Sequence, residues 1–404
     1  METHNGSLYW PSTYPDRGPR SVPERLAFYD VIIVGGGISG SLSALALVEA
    51  GLSVAILDKR QMATGSTMAN TGLLQYSNDI MLHELINQIG KKDAVRFYRS
   101  CYNAVGKLGK LTKQLPFSSD FVERPSICYA STEADVEKLK MEYEVLQKYG
   151  FPCDYWNTSD ISHHMPFEKP GALVTYRDAE VNPYKLVHGV LDVAEEKGAH
   201  IFEFIEVDDV ITEDDVISIR TSAGEFRANQ VVYTTGYEPV PIGNRIGAEI
   251  NRSYAIATKP IKEFTKWHKQ SLIWETARPY LYLRTTADNR IIAGGLDQNI
   301  SHAPKSQELI DMHAKELLLK LKELFPDYLI EIDFSYGAIF GESLDNIPFI
   351  GQHPTKEQHY YLLGYGGNGT VYSMLGSQIL RGLIMDGYHQ DADLVQLNRK
   401  YGVK

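Results

Sequence analysis

The residues Gly35-Gly36-Gly37-Ile38-Ser39-Gly40 have the types and spacing of a phosphate cradle. Asp58 follows by about twenty residues, where a carboxylate accepts the hydroxyls of a ribose. Gly35 permits the tight bend out of a strand, Gly37 lets a pyrophosphate approach the backbone, and Gly40 lets the next helix lie close to the sheet. Unpaired N–H groups at the start of that helix face the anion. The chemistry these residues predict is dinucleotide binding.

The elements that must position them are legible on either side. Tyr29 to Val34, with the apolar run Val31-Ile32-Ile33-Val34, predicts a buried parallel strand. Leu42, Leu45, Ala46 and Glu49 follow at helical spacing, and Gly51 supplies the stop. Val54-Ala55-Ile56-Leu57 predicts the next strand, which delivers Asp58. Together they predict a βαβ unit.

Beyond Asp58 the repeating βαβ pattern breaks off. Gly65-Ser66-Thr67-Met68-Ala69-Asn70-Thr71-Gly72 is a small polar stretch opening onto Leu73 and Leu74, suited to a loop that meets a second polar group or to a plain connection. Two helices follow, with Ala94, Tyr98, Cys101, Val105 and Leu108 on one face of the first and Val136, Leu139, Tyr143 and Leu146 on the second. Leu186, Val187, Val190, Leu191 and Ala194 mark another, stopped near Gly198, and Ile201 to Val207 reads as a strand. Val216 to Arg220 and Glu225 to Ala228 predict a hairpin, after which Val231-Val232-Tyr233 runs into Thr234-Thr235-Gly236. From Tyr254 the pattern turns to alternating, aromatic strands, including Tyr280 to Thr285 and Arg290 to Ala293 before Gly294-Gly295, interrupted by a helix with Leu309, Met312, Leu317 and Leu321. Near the end, Tyr360 to Leu363 leads into Gly364-Tyr365-Gly366-Gly367-Asn368-Gly369-Thr370 and a final helix, a second strand, glycine loop and helix that aims an N-terminus at a polar ligand.

The expected fold is α/β plus α+β: a dinucleotide-binding part from 29–78, 171–250 and 336–404, an antiparallel-sheet substrate part from 79–170 and 251–335, and a proline-rich arm at 1–28. At 404 residues the chain exceeds the usual size of one core. Its 51 acidic against 40 basic residues give a net charge of −11 with no long basic run, which argues against a nucleic-acid partner. Cys101, Cys128 and Cys153 lack close spacing, so neither a disulfide framework nor a zinc site is expected, and His188, His302 and His353 show no metal spacing. The arm, with Pro11, Pro15, Pro19 and Pro23, lacks the apolar run of a signal peptide and reads as irregular surface chain, with Trp10 as a packing anchor. No stretch reaches the length of a membrane span, and the default expectation is a cytoplasmic protein.

Taken together, Gly35 to Gly40, Gly65 to Leu74, Thr234-Thr235-Gly236 and Gly364 to Thr370 resemble the FAD-dependent oxidoreductases of the D-amino-acid oxidase superfamily, the group with glycine, sarcosine and γ-glutamylputrescine oxidases. The stretch Tyr282 to Arg290 before Gly294-Gly295 looks most like the γ-glutamylputrescine oxidase branch, and Asp345, Pro348 and Gly351 fit the segment before the last glycine loop. The resemblance implies FAD, with Gly35, Gly37, Ile38, Ser39 and Gly40 at the pyrophosphate, Asp58 at the adenosine ribose, and Lys59 and Arg60 around it. It further implies Gly65, Ser66, Thr67, Asn70, Thr71, Gly72 and Leu73 beside the ribityl chain and flavin ring, Val207 at the adenine, and Thr235 and Gly236 over the phosphates. Gly341, Gly367, Asn368, Gly369 and Thr370 complete the implied set, the last glycine loop lying at the flavin carbonyl end.

Three departures from that pattern bear on chemistry. Gly337-Ala338-Ile339-Phe340-Gly341 has no cysteine where some relatives tether flavin, so the FAD is expected to be noncovalent. Ile339 stands where glycine oxidases place an arginine, and Gln75 and Val371 stand where sarcosine oxidases place cations, which disfavours a small free amino acid as substrate. The resemblance implies an amine oxidised at the flavin, with molecular oxygen or another acceptor, a carrier protein or quinone, taking the electrons. A flavoprotein subunit of a larger complex is the noncatalytic alternative. Tyr282, Arg284 and Gln75 are the expected catalytic side chains, although singly Tyr282 also reads as an interface aromatic and Arg284 as an interface ion pair. Lys259 is a candidate cation for oxygen reduction or a solvated lysine, and Tyr365 and Tyr372 either line the pocket or pack beneath it.

Overall fold

The structure is a computed structural model that describes residues 2–238, 247–364 and 366–399. Tyr365 lies outside them, as do 239–246 of the expected 171–250 segment and 400–404 of the expected 336–404 segment.

Strand Tyr29–Val34 carries the apolar run Val31 to Val34 and lies at the centre of an eight-stranded sheet. It pairs in parallel with Val54–Leu57 on one side and the end of Gly224–Tyr233 on the other, with Val34 opposite both Leu57 and Tyr233. That register brings Gly35, Asp58 and Thr234 to one edge of the sheet, the edge where open α/β sheets bind ligands. His359–Leu363 and His200–Phe202 extend the parallel core outward. Helix Ile38–Val48 is buried on nearly every side because it packs between helices Gly369–Asp386 and Pro183–Glu196.

A ten-stranded sheet runs from His4–Gly6 through Ile332–Ser343, Ala248–Thr258, Ile291–Gln298, Leu281–Thr285, Leu272–Glu275, Val122–Tyr129 and Gly171–Glu180 to Leu73–Leu74, with Cys153–Asn157 also on Gly171–Glu180. Its pairings are antiparallel except that between Leu272–Glu275 and Val122–Tyr129. Helix Gln307–Leu324 covers its strands Ala248–Thr258 and Ile332–Ser343.

Several expectations change here. Strands Gly171–Glu180 and Ile332–Ser343 pair in the larger sheet, so 171–180 and the start of 336–404 join the strands expected to be separate from them. The arm is not merely irregular: His4–Gly6 adds a strand opposite Tyr336 to Ala338, which needs only unpaired backbone on that edge. Ile201 to Val207 is two strands, His200–Phe202 and Val207–Glu213, because Phe204 takes a φ of 58° and the chain turns to donate from Ile205 N to the Asp58 carbonyl. Met312 is 57% exposed, since the buried stripe of its helix follows Ile310, Ala314, Leu317 and Leu321 instead.

Candidate functional site

A cavity of about 790 Å³ runs from the edge of the parallel sheet to the face of the larger sheet. Its first wall is the glycine fingerprint. A Cβ on Gly35, whose φ is 110°, would meet the Thr234 carbonyl at 2.5 Å, and one on Gly40 would meet the Gly35 carbonyl at 1.9 Å. These two glycines therefore allow chain to lie on chain. Gly37 differs, because its Cβ would meet just the Thr67 hydroxyl, at 3.2 Å, and would otherwise project where Gly37 lines the cavity. The open cradle and the N-terminus of helix Ile38–Val48, which lacks a side-chain cap, fit the pyrophosphate of a dinucleotide.

Asp58 accepts from Gly36 N at 2.7 Å and from Arg60 N at 2.8 Å, which ties the end of its strand to the fingerprint. Burial pushes its carboxyl up from the ordinary range while both backbone bonds pull the other way. Lys59 and Arg60 each pair with Glu238 at 2.5 Å, forming a charged rim beside Val207, Thr235 and Gly236. Polar atoms converge here, as adenosine and ribose require.

The middle of the cavity is walled by Ile38, Ser39, Gly65, Ser66, Thr67, Asn70, Thr71 and Leu73. Gly367, Asn368 and Gly369 face them across the N-terminus of helix Gly369–Asp386. Asp79 Oδ2 accepts from Gly367 N at 2.6 Å, and Asn368 donates to the Ser77 carbonyl at 3.0 Å, so the segment after Leu74 holds the last glycine loop. Tyr372 packs beneath that loop, fully buried, with its hydroxyl on Asn78 Oδ1 at 2.8 Å.

At the far end stand Gln75, Tyr282, Tyr280, Ser253 and Ile339. Tyr282 reaches across Gly294, where any Cβ would collide with its ring, and burial pushes its phenol up. Gln75 Nε2 donates to Ser126 Oγ at 3.1 Å. Among the described residues, the basic ones lining this cavity are Lys59, Arg60 and Lys356, none on the segments that carry Gln75, Tyr282 and Ile339.

Some expected site residues stand behind the wall. Arg284 is 1% exposed and donates to the carbonyls of Gly72, Val181 and Thr285, with Glu180 at 3.7 Å, so it braces the Asn70–Leu73 segment from behind and does not line the cavity. Gly72, with φ 77°, leaves the room that guanidinium needs, Gly341 accepts from Gly366 N at 2.8 Å, and Thr370 is buried beside Asn70. Gly40 packs helix on strand, as its position in the fingerprint implies. Lys259 pairs with Glu331 on the outside, and His188 stacks on Tyr14.

Sequence reading passed over Asp79, Asp297, Tyr280 and Thr3, all of which line the cavity. Thr3 arrives through the arm, whose carbonyl at Thr3 accepts from Ile339 N at 2.9 Å. Asp297 lies two residues beyond Gly294-Gly295, which pair with Tyr282 and Leu281. No helix among the described residues is long and apolar enough to cross a membrane, and no cluster of His, Cys, Asp and Glu among them could hold a metal ion.

Comparison with known proteins agrees with this geometry. Glycine oxidase of Geobacillus kaustophilus is 23% identical over 88% of this chain and 93% of its own length, and gamma-glutamylputrescine oxidoreductase of Escherichia coli is 24% identical over 95% and 89%. The crystal structure of the Geobacillus kaustophilus glycine oxidase superposes with a TM-score of 0.80 at 21% identity, covering 93% of this chain and 99% of that one. L-proline dehydrogenase from P. horikoshii gives 0.76 at 20% identity, over 91% and 96%. The family model described as FAD dependent oxidoreductase matches residues 30–383, and the chain belongs to that family.

Proposed function

We propose that this enzyme oxidises the C–N bond of a primary or secondary amine, using noncovalent FAD and returning the electrons to molecular oxygen as hydrogen peroxide. The observation that carries the reading is the shared cavity: a dinucleotide cradle at one end and, at the other, Tyr282 and Gln75 beside an aliphatic Ile339. Relatives named glycine oxidase and gamma-glutamylputrescine oxidoreductase support an amino compound as donor. When bound, FAD supplies the acceptor for a hydride equivalent from the carbon next to the amine nitrogen. The resulting imine hydrolyses to a carbonyl compound and ammonia or a smaller amine.

The chain's own residues would orient and desolvate. Tyr282 and Gln75 offer a hydroxyl and an amide to the neutral amine, and Ile339 and Trp274 keep that end of the cavity apolar. The N-terminus of helix Gly369–Asp386, behind Gly367 to Gly369, would favour negative charge on the reduced ring. A free α-carboxylate would find no cation on those walls, which disfavours small amino acids. Noncovalent attachment is supported by Cys101, Cys128 and Cys153, each buried and none lining the cavity.

The test is anaerobic bleaching of the flavin by a panel of amines and N-substituted amino acids, followed by oxygen uptake with peroxide detection. Bleaching by amines without oxygen uptake would assign the electrons to a carrier protein or quinone. No bleaching by any amine would reject the reading and favour a noncatalytic subunit.

A further inference from the structure

A second cavity shares a wall with the inner one beside Tyr282. Asp79, Tyr280 and Asp297 line both, and the second, of about 820 Å³, has a wall that includes Asn251, Arg278 and Glu342. Glu84 and Lys138 in that wall neutralise each other at 2.9 Å. Three carboxylates remain, those of Asp79, Asp297 and Glu342, and among the described residues none of them forms an ion pair. Arg278 is the remaining basic group in the wall, with its guanidinium 4.5 Å above the Tyr280 ring.

The polar atoms of this passage are incompletely satisfied. Asp79 is held by Gly367 N and Glu342 by Asn251 Nδ2 at 2.6 Å, but Asp297 Oδ1 is buried with no hydrogen-bond partner. Ser77, 8% exposed and in the wall of the inner cavity beside Asp79, likewise has a buried hydroxyl without a partner. Buried acceptors of this kind are costly unless something donates to them. A group with several N–H donors and a positive charge answers both deficits, and an ammonium has three.

We propose that this vestibule holds a second ammonium of the substrate, so that the oxidised amine is a diamine or longer polyamine with its distal cation among Asp79, Asp297 and Glu342. The assignment rests on the amine-oxidation reading above. Burial, and then Asp79, push Asp297 up to about 6 against the pull of the Ser253 hydroxyl, and burial, then Asp79 and Asp297, push Glu342 up to about 7; a cation placed between them favours the charged forms. The reacting nitrogen then enters past Tyr280 and Tyr282 in neutral form, where no carboxylate other than those at the passage lines the cavity near it.

Two measurements on the holoenzyme test this. Anaerobic flavin reduction compares putrescine with butylamine and γ-aminobutyrate, and calorimetry measures hexamethonium, a dication whose quaternary nitrogens have no lone pair to support hydride loss and which reads the charge of the site alone. The wild type should prefer putrescine over butylamine, and Asp297→Asn and Glu342→Gln should each shrink that preference by about tenfold to a hundredfold, the range for a hydrogen bond to a charged group. Hexamethonium affinity should fall in the same variants. Glu342→Gln keeps a partner for Asn251, which guards against misfolding as the cause. Equal preference for putrescine and butylamine, or a preference untouched by both substitutions, overturns the proposal. So does a preference for γ-aminobutyrate that disappears in Arg278→Ala, which would make the vestibule a carboxylate site. If no amine reduces the flavin while hexamethonium still binds in a Glu342-dependent way, the oxidation reading fails and the cation site stands.

Discussion

Arg284 Nη1 donates to the Gly72 carbonyl at 2.9 Å and to the Val181 carbonyl at 2.7 Å, which joins the Asn70–Leu73 segment to the residue that follows strand Gly171–Glu180. The guanidinium also lies 5.4 Å from the Trp10 ring, and Trp10 donates its indole N–H to the Asn70 carbonyl at 2.6 Å. An arginine and a tryptophan from distant parts of the chain thus fix the backbone on either side of Thr71.

Arg284→Ala should therefore act on folding and cofactor retention before it acts on substrate. It leaves buried carbonyls and the Glu180 carboxylate short of donors, a loss of about 3 kcal/mol or more. Urea unfolding and FAD content should both fall. Unchanged stability with a raised KM would instead return Arg284 to the substrate pocket.

Trp10→Phe should keep the packing and lose one donor to Asn70. The expected cost is about 0.5 to 1.5 kcal/mol for the lost hydrogen bond to a part-buried carbonyl. Thermal melts with and without added FAD should show a smaller FAD-induced rise in Tm than in the wild type, since Asn70 lines the cavity. An identical rise would mean that the arm does not position the loop.

The two ends of the site differed in how much the sequence disclosed, and the reason is physical. Gly35, Gly37, Gly40 and Asp58 are forced by backbone geometry within one βαβ unit, so their spacing is local and readable. Arg284, Asp79 and Asp297 take their roles from contacts between distant segments: Arg284 meets Gly72, Asp79 meets Gly367, and Asp297 shares a cavity with both Asp79 and Tyr280. Residue type alone left Arg284 equally suited to substrate and to a brace. The arm was misread for a similar reason, because the edge that His4–Gly6 joins belongs to Ile332–Ser343, more than three hundred residues away.

Gly37→Val should abolish FAD binding, because its side chain would enter the cradle and meet the Thr67 hydroxyl. Asp58→Ala should weaken binding more mildly, by about 1.5 to 3 kcal/mol, the worth of hydrogen bonds to a charged acceptor. Part of that loss would come through Gly36 N and Arg60 N, which the carboxylate now holds. Fluorescence titration of the apoprotein with FAD separates the two, and Gly37→Val retaining full affinity would reject the pyrophosphate assignment.

The vestibule carboxylates also predict a pH dependence whose sign follows from their direction of shift. Glu342 titrates at about 7 in the folded protein, above its ordinary value, since burial and then Asp79 and Asp297 disfavour its charge while Asn251 and Arg278 favour it. The folded state therefore binds more protons than the unfolded chain between the ordinary carboxylate range and about 7. Its contribution to stability is fully present below the unfolded pKa and is lost as pH rises through the folded one. Asp297, at about 6, adds a contribution of the same sign. Glu342→Gln cannot ionise, so its Tm relative to the wild type should rise between about pH 5 and about pH 8, the interval over which the wild type loses that contribution. Comparing the two proteins at each pH cancels the titration of groups they share. A bound dication reverses the trend, because it interacts with the charged carboxylates: hexamethonium should stabilise the wild type more at about pH 8 than at about pH 5. A difference in Tm that stays flat across this interval, with no pH dependence of the hexamethonium effect, would show that Glu342 ionises as an ordinary solvated acid.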